Sequence, residues 1–547
     1  MARPEAKLKE LKPAELKHEV GARHDLVVTV NRKSEPRLIA YGEDFLFEKL
    51  PTGTRVIYPP PPLDPLPDPD TAIRYALLHP LNADPLFAQL NPNMRVTIAI
   101  DDLSLPLPQM RRPDIRERVL NQALQTLADY SVDDVHIIIA TALHRRMTES
   151  EIRRIVGERA FKQFWPDRLY NFDGENRAEI VMLSKTAHSE EVWLSRRAAE
   201  SDLVLYLNIN LVPMDGGHKS VAVGLAPYQS LRHHHNPETL RDSHSYMDPA
   251  RSALHSSANR MGRIVNEQIN VFSIETAINN QMYGGMLDFL HKNEDRFNDW
   301  DRLRLKGFRW TLGNLSNDLR RQALHQYAAP YGMTGVWAGE TETVHREALA
   351  RVFQQYAVPV KGQSDILIVG VPYICPYNVN SIMNPVLVQC MGLGYLFNMY
   401  RNKPLVKPGG TMIICHPLRD EFHPEHHPSY IEFFHRCLAE TTDAPQLAKQ
   451  FEAEFAHNPT YTHMYRYGHA YHGVHPFYMW YWGEPARQHV GRVIAAGCEE
   501  PEVASRMGWE SADTLAEAIA MATADHGRSA TITYLHSRLP RVAQQSL

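Results

Sequence analysis

Residues 201–208 read SDLVLYLN, and a short link carries them into residues 215–236, DGGHKSVAVGLAPYQSLRHHHN. The first run is short, apolar and bounded by polar residues, which predicts a buried strand. In the second, a glycine pair (Gly216, Gly217) lets backbone approach a bound group closely. Lys219 follows, a residue able to serve as charge, nucleophile or covalent anchor. His233, His234 and His235 come later, and neighbouring histidines are common metal ligands. A turn with a solvated lysine and a polar surface run of histidines account for the same letters.

The strand-then-polar-loop arrangement recurs upstream, and the recurrence sets the fold class. Residues 96–100 (VTIAI) run into Asp101-Asp102, a helix is expected over 116–130, and residues 136–140 (HIIIA) run into Thr141-Ala142-Leu143-His144. A further helix begins near Thr148, with Glu151 placed for a capping box. The loops at Asp102, His144 and Lys219 thus each follow the carboxyl end of a strand, the edge where open parallel sheets bind ligands. His144, flanked by Arg145 and Arg146, is suited to act as a general base. The adjoining helix start and arginines are suited to hold an anion. A polar loop histidine is the plain alternative. Asp101-Asp102 suits a ribose hydroxyl, a metal or a simple loop cap.

Elsewhere the same α/β rhythm holds, with exceptions. A strand is expected at 26–30 (LVVTV), and the proline run 59–70 must be extended. A helix follows at 71–78. Residues from about 287 to 331 lack alternating strands and read as a helical insertion or lid. A helix is expected at 343–356, a strand at 365–371 and a helix at 385–400. KPGG at 407–410 reads as a tight turn before strand 411–415, and helices follow at 430–440 and 446–455. His423, His426 and His427 (HPEHH) can chelate a metal but lack partner carboxylates at a set spacing. Residues 457–482 are rich in His, Tyr and Trp and either line a pocket or pack. Ser511 is expected to cap a helix from 513 to Gly527, and 531–535 to form the last strand.

Bulk composition excludes several classes. At 547 residues the chain suggests roughly two to four domains. A hydrophobic share of 44% with 22% charged residues is ordinary for a globular protein. A formal charge of -5 gives no basic excess for nucleic acid. The five cysteines show no CxxC spacing and read as reduced intracellular thiols. The charged stretch 1–20 lacks the apolar core of a secretory signal. No apolar run reaches the ~18 residues of a membrane span, so neither a membrane nor a nucleic-acid partner is expected, and the expected location is the cytoplasm.

Several motifs in order resemble the nickel-pincer lactate racemase family, a group of 2-hydroxy-acid racemases and epimerases. They are PPPPLDPLPDPDTAIRYALLHPL from Pro59, DDLSLPLP from Asp101, ATALHRRMTESEI from Ala140 and GGHKSVAVGLAPYQSLRHHH from Gly216. VWAGETETVHREALARVFQQYAVPV, DILIVGVPY, VKPGGTMII and SADTLAEAIAMATADHG follow. The resemblance covers most of the chain from about residue 55, apart from the insertion. It implies two α/β domains with mostly parallel sheets and an active-site cleft between them. The division expected is 1–290 with about 516–547 joining it, a helical insertion at 291–332, and 333–515.

The resemblance also implies a cofactor, the nickel-pincer nucleotide (a pyridinium-3-thioamide-5-thiocarboxylic acid mononucleotide that grips nickel), and enzymes elsewhere that make it. Lys219 matches the covalent anchor, His235 the nickel ligand and His144 a catalytic histidine; Asp102 is a further expected cofactor contact. Imidazole beside soft donors suits nickel. The implied activity is that of an isomerase, a racemase or epimerase of a hydroxylated small molecule. Four expected residues depart from the family pattern. Leu105 stands where an arginine for the substrate carboxylate is expected. Ile209 stands where a second catalytic histidine is expected. The glutamine and lysine expected after DILIVGVPY are absent, so the substrate is expected to differ from lactate. Arg111, Arg145 and Arg146 are candidates for the anion role, and His218, His234 and Asp215 for the second base. A non-catalytic cofactor-binding relative and a metal-dependent hydrolase are the rival readings. The oligomeric state is not readable.

Overall fold

Long apolar runs become the strands of a six-stranded sheet, ordered Met333–Gly339, Val271–Ile278, Leu203–Asn210, Arg95–Asp101, Asp134–Ala140 and Leu169–Asn171. The computed structural model describes residues 25–536 and 542–545, so the charged stretch 1–20 lies outside it. All neighbours in this sheet are parallel except Met333–Gly339, which runs antiparallel to Val271–Ile278. Every residue of Leu203–Asn210 is buried, as expected for a central strand covered by helices on both faces. Helix Ile115–Asp129 lies between two of these strands in the chain and buries Val119, Leu120, Ala123 and Leu127. The expected capping box at Thr148 and Glu151 starts helix Glu149–Phe164, which kinks at Gly157.

A second sheet has seven strands, ordered Val27–Thr29, Arg55–Ile57, Ile532–Leu535, Ser364–Gly370, Val406–Cys415, Arg492–Ala496 and Glu510–Ala512. It is parallel apart from the first pair. The α/β class with mostly parallel sheets therefore holds, but the sheets divide the chain differently from the expected boundaries. Strands Val27–Thr29 and Arg55–Ile57 join the second sheet, with Arg37–Tyr41 and Asp44–Glu48 pairing as a separate hairpin between them, while Met333–Gly339 and helix Thr341–Tyr356 join the first. Ile532–Leu535 pairs with Ser364–Gly370 in the second sheet, not with the first. Burial explains these memberships. Val344, Ala348, Val352 and Tyr356 of the 341–356 helix are covered as it packs on Val271–Ile278 and Met333–Gly339. Leu515, Ala518 and Ala522 of helix Leu515–His526 are buried against strands Val406–Cys415 and Arg492–Ala496.

Smaller corrections follow from backbone hydrogen bonds. KPGG lies inside strand Val406–Cys415 as a bulge, because the partner of Ser364 is Val406 and that of Ile366 is Thr411. Ser511 lies in a strand; Thr514 is the cap, and the helix ends at Gly527 with a φ of 82°. Ile532–Leu535 is not last, since Val542–Gln545 pairs with Ala357–Val360 and Tyr400–Arg401. The insertion is helical, with Asp299–Gly313 and Asn317–Gln326 as its two longer helices. Phe289, Leu290, Phe297 and Leu305 seat it against Leu38. Among the described residues no helix is long and apolar enough to cross a membrane. The five cysteines are free and buried.

Candidate active site

The carboxyl ends of the first sheet's central strands open into a cavity of about 140 Å³. Asp101 and Asp102 end strand Arg95–Asp101. The Arg116 guanidinium, itself paired with Asp114 at 2.8 Å, donates to both of their carbonyls and pins the strand end. The Asp101 carboxylate accepts from Asn208 Nδ2 at 2.6 Å and the Ile209 N–H at 2.9 Å. Burial nonetheless pushes its pKa up to about 7. Asp102 turns the other way. One oxygen accepts from the Ser104 N–H and hydroxyl, and the other meets His144 Nδ1 at 2.7 Å. Burial acts to raise this carboxyl, and the charge and hydrogen bonds of His144 and Ser104 hold it below the usual range. Both oxygens of Asp102 are thus engaged, one by Ser104 and one by His144, while the residue lines the cavity as expected of a site residue.

His144 is carried on the tight loop after Asp134–Ala140, where Ala142 takes a φ of 49°. The loop is tied to its surroundings: Ala142 N–H donates to Gly224, and Tyr465 Oη donates to the Ala142 carbonyl. A carboxylate on Nδ1 selects the tautomer in which Nε2 carries the lone pair, so His144 is arranged to accept a proton from a ligand.

The glycine pair does what its composition suggested. Gly216 and Gly217 have φ of 83° and 67°. Gly217, with a ψ of -156°, sits in a region essentially reserved for glycine. A Cβ at Gly216 would come within 2.4 Å of Asn210 Oδ1, and one at Gly217 within 2.8 Å of the His345 ring. Gly217 N–H donates to Glu275 Oε1 at 2.7 Å, and Glu275 Oε2 meets His345 Nδ1 at 3.1 Å. Asp215 accepts from the N–H groups of Leu211 and Val212, closing the turn. This clamp delivers Lys219 to the cavity wall, where its Nζ donates to the Met214 carbonyl at 2.7 Å. Burial lowers the lysine's pKa against the pull of Asp215 and Asp101, which raises the fraction of free amine available for covalent attachment.

His235 lines the same cavity. Its Nδ1 shares a hydrogen bond of 2.6 Å with Nδ1 of His234, and Tyr478 and Trp482 flank its ring. Burial drives both imidazoles toward the neutral form. When His235 donates in this pair, its Nε2 bears the lone pair a metal needs, with His234 fixing the ring from behind.

His475 and Tyr377 reach the cavity from the other side of the molecule. The His475 ring stands edge-on to His144, centroids 5.4 Å apart. Its Nδ1 hydrogen-bonds Tyr430 Oη at 2.5 Å, and its buried Nε2 has no hydrogen-bond partner. No spacing pattern marks His475 in the sequence; the density of His, Tyr and Trp in 457–482 was its only signal. Ile209 is buried in its strand, so the position of the expected second histidine carries no titratable group.

The other candidates separate cleanly. Arg145 is locked to Glu151 at 2.7 Å, Arg146 donates to the Arg466 carbonyl and Arg111 to that of Ala328. His218 pairs with Glu342 away from the cavity, and His234 stands behind His235. Asp215 lines the cavity but is spent on its turn. His423 stacks on His426 at 3.9 Å. Among the described residues no group of three or more His, Cys, Asp and Glu side chains is placed to hold a metal unaided. A metal bound beside His235 would therefore need donors brought by another group.

Residues 41–248 match the family model described as the lactate racemase N-terminal domain. Over this segment the chain is similar to that domain. Asp102, His144, Lys219 and His235 all fall within the matched residues, whereas Tyr377 and His475 fall outside them. The fold is similar to that of the lactate racemase apoprotein from Thermoanaerobacterium thermosaccharolyticum, with a TM-score of 0.60 at 17% identity over 93% of this chain and 99% of that one. It is also similar to a structural-genomics protein from Thermotoga maritima, with a TM-score of 0.51 at 12% identity over 89% of this chain and 100% of that one. No curated protein matches the chain.

Proposed function

We propose that this chain is an isomerase that carries the nickel-pincer nucleotide on Lys219 and His235 and inverts a hydroxyl-bearing carbon. The observation that carries this reading is that Lys219, His235 and His144, separated by up to 91 positions in sequence numbering (235 against 144), line one cavity at the strand ends. The residues present fit the group. Lys219 is a desolvated amine, His235 offers one neutral imidazole, and the described residues supply no competing metal cage. When bound, the nucleotide supplies a reversible hydride acceptor.

The chain's own residues handle the proton. His144, oriented by Asp102, takes the hydroxyl proton at Nε2. His475 stands beside it, and its unpartnered Nε2 can give or take a proton according to whether the Tyr430 hydroxyl donates to or accepts from Nδ1. The two imidazoles are neighbours rather than opposed across the cavity. The hydroxyl oxygen is thus held at one place, and the two faces of its carbon are presented by turning about that oxygen. The enclosing side chains of Tyr377, Tyr478 and Met479 limit water at this point.

Intact-mass and metal analysis of protein produced together with the cofactor-making enzymes tests the assignment. The expected result is a single covalent adduct lost in Lys219→Ala, with about one nickel per chain lost in His235→Ala. Unmodified, nickel-free protein under those conditions sinks it. Adduct and nickel with no inversion of any hydroxylated compound would instead identify a non-catalytic relative.

A further inference from the structure

Beside the catalytic cavity lies a second chamber of about 350 Å³. Leu105 belongs to the lining of both. The hydroxyls of Tyr377, which lines the first, and Tyr395, which lines the second, bond to each other at 2.7 Å and form another part of the shared wall. The chamber is lined mainly by side chains such as Leu107, Leu211, Met282, Leu290 and Met399. The insertion forms its roof through Phe308 and Leu312 on helix Asp299–Gly313 and Leu324 on helix Asn317–Gln326. Its charged lining residues are already neutralised: Arg320 pairs with Asp44 at 2.7 Å, and Glu43 with Arg419 at 2.7 Å.

Charge points the same way. Apart from histidines, the cationic side chain in the lining of the catalytic cavity is Lys219. Arg111, Arg145 and Arg146 are bound to carbonyls or to Glu151 elsewhere. A carboxylate seated next to His144 would face Asp101, Asp102 and Asp215 and meet a leucine at position 105. Burying an anion without a partner is strongly unfavourable. Burying a hydrocarbon against Leu105 and the chamber is favourable in proportion to its area.

We infer that the substrate is an uncharged secondary alcohol whose hydroxyl sits at His144 and whose bulky apolar substituent passes Leu105 into the chamber under the insertion. The class of substrate rests on the isomerase reading, but its binding does not, so the two fail separately.

Calorimetric titration of the full chain, without any nucleotide, with a series of 2-alkanols from 2-butanol to 2-decanol tests this. Parallel titrations use the 2-hydroxy acids of equal length. Affinity is expected to rise about fourfold per methylene until the chamber is filled, with each acid at least about tenfold weaker than its matching alcohol. Leu312→Trp, which narrows the chamber from its roof, should flatten the chain-length dependence. Leu105→Arg should reverse the preference between alcohol and acid, with thermal melts confirming that both variants fold. Affinity indifferent to chain length, acids binding as tightly as alcohols, or chain-length dependence untouched by Leu312→Trp would each overturn the assignment. Alcohols that bind as expected but are not inverted by nickel-loaded protein would leave the chamber standing and defeat the isomerase reading.

Discussion

Asp102 shows how one side chain can be legible in type while its partners are not. Its position at a strand end was visible, and a ligand contact was the natural inference, yet both of its oxygens face inward, to Ser104 and His144. What it controls is which imidazole nitrogen bears the proton. Asp102→Asn keeps the shape and loses the charge, and the new amide can donate to Nδ1, favouring the opposite tautomer. In nickel-loaded protein the variant is expected to keep the Lys219 adduct and the metal while its inversion rate falls by about 10²–10⁴. Nitrogen-15 spectra of the imidazoles give a readout independent of turnover. The His144 Nδ1–H signature should be present in the native chain and diminished in the variant. An unchanged tautomer, or loss of the adduct along with the rate, would show that Asp102 acts otherwise. His475 stands at the opposite extreme. Nothing at that position announces a site residue, because what brings it to His144 is the docking of two sheets that share no local pattern.

At the scale of single elements, the turn 215–219 was the most readable part of the molecule and its support the least. Glycines before a lysine predict a close turn, and the positive φ values explain why glycine is required. The clamp comes from elsewhere: Glu275 from strand Val271–Ile278 and His345 from helix Thr341–Tyr356. The helix was expected from periodicity, the strand was not, and periodicity does not say that the helix lies over the turn. The clamp is titratable. Burial acts to lower the His345 pKa, but the charge and hydrogen bond of Glu275 win and raise it above 6.5. A group whose folded pKa exceeds its unfolded value contributes stability fully present below the unfolded pKa and lost as pH rises through the folded one. Urea midpoints of the native chain and His345→Gln, measured between about pH 5 and pH 9, should therefore differ most at the acid end and converge at the alkaline end. A gap that widens with rising pH would show that the ring is held neutral and that Glu275 is clamped by something else.

The whole molecule depends on how two sheets, built from interleaved segments of chain, meet over one cavity. Rhythm identified some of the strands and missed others, among them Arg55–Ile57, Val271–Ile278, Met333–Gly339 and Arg492–Ala496; it could not assign those it found to sheets, because 27–29 and 532–535 carry no local mark of the sheet they join. The junction is fixed in part by a buried ion pair. Arg145, from the first sheet's loop, pairs with Glu151 at 2.7 Å and donates to the Val379 carbonyl at 3.0 Å, while Asn380 Nδ2 donates to Glu151 at 2.7 Å. Residues 379 and 380 follow the second sheet's strand Ser364–Gly370, so the pair is a bolt between the units, set next to His144. Burial acts to raise the Glu151 carboxyl, and Arg145 outweighs it and holds the carboxyl below its usual range. Its contribution to stability is accordingly present above the unfolded value and lost as pH falls through the folded one. Removing one partner leaves a buried charge uncompensated, so Glu151→Ala should cost about 3–5 kcal/mol, whereas replacing both with apolar residues of similar size should cost far less. Chemical denaturation of Glu151→Ala and of the Arg145→Met/Glu151→Leu double variant separates the cases. If the pair aligns the cavity as well as stabilising the chain, the double variant should recover stability and still load nickel poorly. The reason is that apolar side chains restore packing but not the hydrogen bonds to 379 and 380 that set one unit's register on the other. Recovery of both properties together would reduce Arg145 and Glu151 to a stability device, with the alignment of His144 and His475 carried by the surrounding aromatic packing alone.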